Sequence, residues 1–304
     1  MMMKNILLFC CFAVILFSCE DQNRQIIVPG GNPQDTTKQP VDPKTKAKPS
    51  ACLFVGTDST LDIMTWNIEQ FPKHSETIDR VATLISNMNL DIIAFQEINN
   101  RTSFETLRGK LNGWASEIDS KNSVGYFYKT AEVERLEFFE LFRGDTYSFP
   151  RPAPAMSIKH KSGLEITLIN LHLKCCGQTE DIARRTAASQ RLKSYVESTL
   201  SKQNVVILGD WNDVIAGNLT GAFDNFLNDK TKYLFADLEI AQNFSLGWSY
   251  PSFPSHIDHI LINAPLFEAF VEVMTVSPDK CEPVYFSTIS DHRPVAIRLK
   301  KTSK

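Results

Sequence analysis

The chain has 304 residues, 43% of them apolar and 22% charged, enough to bury a sizeable core in one large domain or two small ones. Its formal charge of −3 excludes the strongly basic surface that sequence-tolerant binding along a long duplex requires. It does not exclude the capture of a single phosphate by a metal ion and a few arginines.

Residues 1–18 read as an export signal. Lys4 supplies a minimal positive start, and Ile6 to Phe17 form an apolar run of twelve. That is short of the roughly 20 residues a bilayer span needs, and it suits the apolar region of a secretory signal. The run ends Leu16-Phe17-Ser18-Cys19, which resembles a bacterial lipobox. The resemblance implies cleavage before Cys19 and lipid attachment to its sulfur, placing the protein in the cell envelope. An ordinary signal peptide or an uncleaved anchor is the alternative. Residues 19–51 then form a tether. Residues 20–50 hold five of the fifteen prolines and show almost no apolar pattern, so they bury too little to offset their ordering entropy. The globular pattern runs over residues 52–304, with no internal repeat and no second linker.

Leu61 to Asn67 reads as a strand, and Ile78, Val81, Ile85 and Met88 recur at helical spacing over residues 76–88. Asp91 to Glu97 reads as a short buried strand, residues 101–112 as a helix, and Val124–Lys129 and Val133–Phe142 as hairpin-like strands. Glu165 to His172 is a further strand. The longest helix spans 180–201, with Ala188, Leu192, Tyr195 and Thr199 on one face. Strands at Val205–Leu208, Ile257–Ile262, Val271–Val276 and Val295–Leu299 complete an α/β pattern of sheets packed together with helices outside.

Polar residues punctuate the ends of these apolar strands: Asn67, Glu97, His172, Asp210 with Asn212, Asp258, and Asp291 with His292. Carboxylates and imidazoles at strand ends have a rigid base and open toward solvent. Hard oxygen donors with some histidine suit Mg²⁺ or Mn²⁺ better than a thiolate-bound metal. Taken singly, each piece has a plain structural reading, such as an Asx turn at Gly209-Asp210-Trp211-Asn212.

The ordered series is more specific. Thr65-Trp66-Asn67-Ile68, Gln96-Glu97, Asn170-Leu171-His172-Leu173, Gly209-Asp210-Trp211-Asn212, Ile257-Asp258-His259-Ile260 and Ser290-Asp291-His292-Arg293-Pro294-Val295 together resemble the endonuclease/exonuclease/phosphatase superfamily, over about residues 61–299. The resemblance implies a four-layer α/β/β/α sandwich of two mixed sheets. It also implies hydrolysis of a phosphate ester with Mg²⁺, Mn²⁺ or Ca²⁺ being further possibilities. Glu97 is then the main metal ligand, with Asn67 and Asp291 close by. Asn212 hydrogen-bonds the phosphate, and Arg151, in a Pro-rich segment, contacts it too. For the base, two assignments stand. Either His292, oriented by Asp258, deprotonates water while His172 protonates the leaving oxygen, or Asp210 takes the proton and His292 clamps the phosphate as a cation.

Trp211 reads as packing, Tyr126 and Tyr128 as packing or cleft rim, and His256 and His259 as mainly structural, with His256 near the cleft. Adjacent Cys175 and Cys176 follow His172 and are not a feature of the resembling nucleases. A bridge from one of them to Cys281 or Cys52, with Cys281 preferred, is expected to pin that loop. The leading expectation for function is an extracytoplasmic nuclease acting on nucleic acid, with membrane contact through Cys19 and no obligate protein partner. The competing readings are a sphingomyelinase-like phosphodiesterase, another phosphatase of the superfamily, and an inactive surface binding protein.

Overall fold

A computed structural model describes residues 46–300. The expected signal segment, the lipidation at Cys19 and most of the tether lie outside the described residues. Twelve strands follow one another in the chain: β1 (Leu61–Phe71), β2 (Ile92–Ile98), β3 (Trp114–Ile118), β4 (Val124–Lys129), β5 (Val133–Leu141) and β6 (Ala153–His160). Then come β7 (Glu165–His172), β8 (Val205–Asp210), β9 (Tyr233–Phe235), β10 (Asp258–Asn263), β11 (Phe270–Thr275) and β12 (Val295–Leu299). They form two six-stranded sheets, β11-β12-β1-β2-β4-β3 and β5-β6-β7-β8-β10-β9. Each sheet is mixed. One parallel pair lies at the heart of each, β1 with β2 and β7 with β8.

Alternation along these strands assigns side chains to layers. Ile63, Ile92, Ala94, Leu168, Val206, Leu208 and Ile260 face inward and fill the space between the sheets. Met64, Trp66, Ile93 and Phe95 face outward onto helices α1 (Thr77–Ser86) and α2 (Arg101–Gly109). Ile169, Leu171, Val205 and Ile207 face outward onto α3 (Thr179–Thr199). Strands buried on both faces are apolar without alternation, which explains the continuous apolar runs. The result is the four-layer α/β/β/α sandwich that the sequence implied.

Several expectations shift. On α3 the buried row is Ala188, Leu192 and Val196, reinforced by Ser189 and Arg185, and Thr199 is exposed. A strict four-residue step keeps Val196 over the sheet. β3, β6 and β9 are strands that the apolar pattern does not announce: β3 is short and half polar, β6 has Pro154 as its second residue, and β9 has three residues. The folded body also reaches back into the expected tether. Ala47 and Ala51 bridge to Val273 and Val276, and Ala47 is buried, so residues 46–51 cover the β11 edge.

The disulfide differs from the expected pairing. Cys52 bonds Cys281, with their Cα atoms 5.8 Å apart. The docking of residues 46–51 along β11 carries Cys52 to the segment just beyond that strand. Neither Cys175 nor Cys176 joins Cys281; their Sγ atoms lie 2.9 Å from each other. Their loop is pinned instead by Arg185, which is 1% exposed and donates to the carbonyls of Lys174 and Cys176 at 2.8 Å each. Among the described residues no helix is long and apolar enough to cross a membrane.

Candidate active site

The two parallel pairs end at the same pole of the sandwich. Across the second sheet His172 pairs in register with Asp210, and Asp210 with Asp258, so three neighbouring strands set three polar side chains in one row. Directly opposed residues share a face, and this row shares the inner face with Leu168, Leu208 and Ile260. Asn67 closes the inward row of β1 in the facing sheet. Gly209 makes the row possible. Its φ is +142°, and a Cβ there would lie 2.1 Å from the Leu171 carbonyl oxygen.

Glu97 has the wrong parity to join this row by alternation alone. Its backbone takes a left-handed φ of +62°, beside a register shift between Asn67 and Phe71. Its carboxylate thereby meets Asn67. Asn67 Nδ2 donates to Glu97 Oε1 at 3.1 Å and to Asp210 Oδ2 at 2.9 Å, while its Oδ1 accepts from Glu69 N at 3.0 Å. His172 Nε2 lies 3.8 Å from Glu97 Oε1 and 3.7 Å from Asp210 Oδ2. His292 Nδ1 shares a proton with Asp258 Oδ2 across 2.8 Å. Asp291 sits 3.9 Å from His292 Nε2.

Asn212 adopts φ +54°, a conformation asparagine tolerates. Its N–H donates to Asp210 Oδ1 at 2.9 Å and its side-chain amide to the Leu173 carbonyl at 3.2 Å. The Asx turn and the site are therefore the same structure. Arg151 is half-buried, and its charge contributes to the depression of His172.

The electrostatics follow from crowding in a dry place. Burial, with Asp258 adding, raises Asp210 to about 7. Burial, with Glu69 and Glu97 adding, raises Asp291 to about 6. Burial lowers His172 well below the ordinary imidazole value, with Arg151 and His292 adding to it, so its ring is neutral. Burial works against charge on His292 as well, yet Asp258, Asp210 and Asp291 outweigh it and hold the ring protonated, up to about 10. Glu97, His172 and Asp210 offer donor atoms within 4.8 Å of one another, as do Asp210, Asp258 and His292. Acids pressed together with a neutral imidazole are the donor set of a hard divalent cation, whose charge would relieve their repulsion.

Several supporting residues escape a sequence reading. Glu69 Oε2 accepts from Asp291 N at 2.7 Å and pairs with Lys73, and φ +38° at Glu69 is what turns it there. Beneath the site, Gln96 Nε2 donates to Thr65 Oγ1 and Asn170 Oδ1, and Asn170 reaches the Phe95 and Gly125 carbonyls. This floor bridges the two sheets. Ser290 Oγ donates to the Asn67 carbonyl at 2.7 Å, and the Tyr285 hydroxyl donates to the His292 carbonyl at 2.6 Å. Both tie the last motif to its place. The Tyr250 ring lies 4.7 Å from that of His292, centroid to centroid.

The expected packing roles hold for Trp211, which is buried and donates to the His259 carbonyl, and for Tyr126, whose hydroxyl donates to the Pro154 carbonyl. Tyr128 is buried in the central core. His256 and His259 both meet the buried Asp237 carboxylate, at 3.1 and 2.6 Å.

Two sheets face to face, with carboxylates, imidazoles and amides gathered where their parallel strands end, define a metal-dependent phosphoester hydrolase. The chain belongs to the Endonuclease/Exonuclease/phosphatase family, whose model matches residues 64–292. Solved structures share the fold at low identity. An endonuclease/exonuclease/phosphatase family protein from Bacteroides thetaiotaomicron has a TM-score of 0.62 and 18% identity, covering 81% of this chain and 99% of its own. D. rerio TDP2 complexed with a single-strand DNA product has a TM-score of 0.64 and 12% identity, covering 80% and 100%. A mannosyl-6-phosphatase of Bacteroides thetaiotaomicron has a TM-score of 0.59 and 16% identity, covering 79% and 100%. No curated protein matches the chain.

Proposed function

We propose that this hydrolase is an exported nuclease, lipid-anchored through Cys19, that cleaves phosphodiester bonds of nucleic acid with Mg²⁺. The observation that carries the reading is the meeting of Asn67, Glu97, His172, Asp210, Asp258 and His292 in one linked cluster. Glu97, with Asn67 and Asp291 beside it, would hold the ion. A bound dication stabilises charge on the non-bridging oxygens of the phosphate. Asp210 is gripped through both oxygens, by Asn67 and by the Asn212 N–H, and is oriented to receive a proton from water. His292, charged against Asp258, faces the phosphate as a donor. Arg151 adds a second positive contact for it.

A flat aromatic ring beside the phosphate site favours a nucleobase. Tyr250 provides one against His292, and Phe253, 57% exposed, follows in the same loop. A TDP2 with bound DNA product shares this fold and lends the reading further support. A mannosyl-6-phosphatase shares it as well, which makes a phosphomonoester the critical control.

The test is hydrolysis of supercoiled plasmid and single-stranded oligonucleotide, beside sphingomyelin vesicles and mannose 6-phosphate, with EDTA and with Mg²⁺ restored. DNA cleavage that EDTA abolishes, that Mg²⁺ restores and that Glu97→Gln loses is the expected result. Cleavage surviving EDTA, or hydrolysis of the lipid or the monoester alone, overturns the nuclease reading. For the anchor, fatty-acid labelling of the expressed chain should disappear in Cys19→Ser.

A further inference from the structure

A second cluster of potential ligands lies at the other pole of the sandwich. Asp91 immediately precedes β2, six positions from Glu97, or about 20 Å along an extended strand. His160 ends β6, which runs antiparallel to β7 and so finishes at the pole opposite His172. Glu132 lies in the turn between β4 and β5. Backbone bonds join the three turns: Lys129 N donates to the Asp91 carbonyl, and Lys161 N to the Glu132 carbonyl.

Within this cluster His160 Nε2 lies 3.9 Å from Asp91 Oδ2 and 3.9 Å from Glu132 Oε2. The His160 side chain is fully buried, yet Nε2 has no hydrogen-bond partner. A buried polar atom left without a partner is costly. The opposite ring nitrogen, Nδ1, lies 2.8 Å from the Ser162 hydroxyl. Nδ1 also accepts from the Ser162 N–H at 3.3 Å, so without an ion the proton sits on Nε2. An ion at Nε2 takes its place and the proton moves to Nδ1, where the Ser162 hydroxyl can accept it and orient the ring, as a second residue orients a metal-ligating histidine. Burial keeps the ring neutral and raises Asp91 to about 7. The other charges facing the cluster are Asp62, which is paired with Arg298, together with Lys129 and Lys161. Lys161 pairs with Glu132 and is the cation an incoming ion must displace from it.

We propose that Asp91, Glu132 and His160 form a structural zinc site that staples the two sheets together at the pole remote from the active site. The chemistry is compatible: an imidazole nitrogen and carboxylate oxygens are both donors that zinc accepts, and three of them leave a fourth position for water. The three donor atoms lie within 4.8 Å of one another. Closing them onto an ion at about 2.1 Å asks each carboxylate oxygen to approach His160 Nε2 by roughly half an ångström. Glu132, the most exposed of the three, can supply that movement by rotating its side chain. The topology gives the site a purpose. Asp91 is tied to β2 in one sheet, and Glu132 and His160 to β5 and β6 in the other, so an ion there crosses the interface between the sheets.

The experiment uses the purified, chelator-treated chain, with zinc chloride as the probe. Binding is followed by calorimetry and stability by thermal unfolding, for the parent, Glu132→Gln and His160→Gln. The parent should bind one more zinc ion than either variant, or bind it about 100-fold more tightly, and should melt at higher temperature on zinc addition. Both variants should lose that rise. Glu132→Gln, at a partly exposed position, keeps the test valid should His160→Gln fold poorly. DNA hydrolysis in Mg²⁺ by Glu132→Gln should equal that of the parent, which separates this site from the active site. Equal zinc stoichiometry, affinity and thermal response in parent and Glu132→Gln overturns the proposal.

Discussion

Asn67 holds two carboxylates at once: its side-chain amide donates to Glu97 in its own sheet and to Asp210 in the facing one, at 3.1 and 2.9 Å. It thereby fixes the spacing of two acids that would otherwise repel. Replacing the amide by a third carboxylate, Asn67→Asp, should keep the fold and lower kcat/KM by roughly 10- to 100-fold, the usual effect of losing a group that orients metal ligands. The Mg²⁺ concentration for half-maximal rate should shift as well. A metal titration of the rate checks both, and an unchanged titration curve would contradict the bridging role.

Asp258 keeps His292 charged. Without it burial prevails, and the imidazole should lose its proton at lower pH. In Asp258→Asn the rate at neutral pH should fall by about 10²–10⁴-fold, the range of general acid–base contributions. If His292 works as a cation, the alkaline limb of the pH–rate profile should move to lower pH. If His292 is instead the base, the acidic limb should be the one that moves. The profile of the residual activity therefore decides between the two assignments.

The Cys52–Cys281 bond closes a loop across a sequence separation of 229. On the chain-entropy model, a loop of that size stabilises by up to about 5 kcal/mol. Cys281→Ala, or treatment with a thiol reductant, should lower the melting temperature markedly. Cys175→Ser should not, because Arg185 pins that loop without a sulfur bond to Cys281. The reverse pattern would restore the pairing expected from sequence.

Asp237 is buried between His256 and His259. Burial alone would raise its carboxyl, but the two imidazoles outweigh it and hold it below the ordinary carboxylate range. A carboxylate depressed in the folded state contributes stability above its unfolded value of about 4. That contribution is lost as pH falls from there through the folded value. The difference in unfolding free energy between the parent and Asp237→Asn should therefore grow as pH falls from 7 to 5, where Asp237 favours the charged form of His259, and shrink below about 4. Denaturant unfolding across that range measures it. A difference that keeps growing below about pH 4 would refute the assignment.

Strand by strand, the sequence was most legible where both faces are buried. Asp91 to Glu97, Glu165 to His172 and Val205 to Leu208 are apolar runs capped by polar residues, and the structure places a strand at each within a residue or two. β3, β6 and β9 were not legible, because half-polar, proline-containing or three-residue strands acquire their conformation from neighbours to which they pair. Among the polar residues, His172, Asp210 and Asp258 could be read as strand-end groups, yet their alignment in one row is a matter of register between strands distant in sequence.

By itself the sequence carried the motifs whose resemblance implied the family and the sandwich, and it showed the polar residues at the strand ends, because local apolar pattern and short motifs are written in consecutive residues. The tertiary structure alone decided the partner of Cys52, the turning of Glu97 and Glu69 through left-handed backbone, and the cluster of Asp91, Glu132 and His160 at the far pole. Each of these depends on segments far apart in the chain being brought within a few ångströms by packing of the two sheets, and no local pattern encodes that distance.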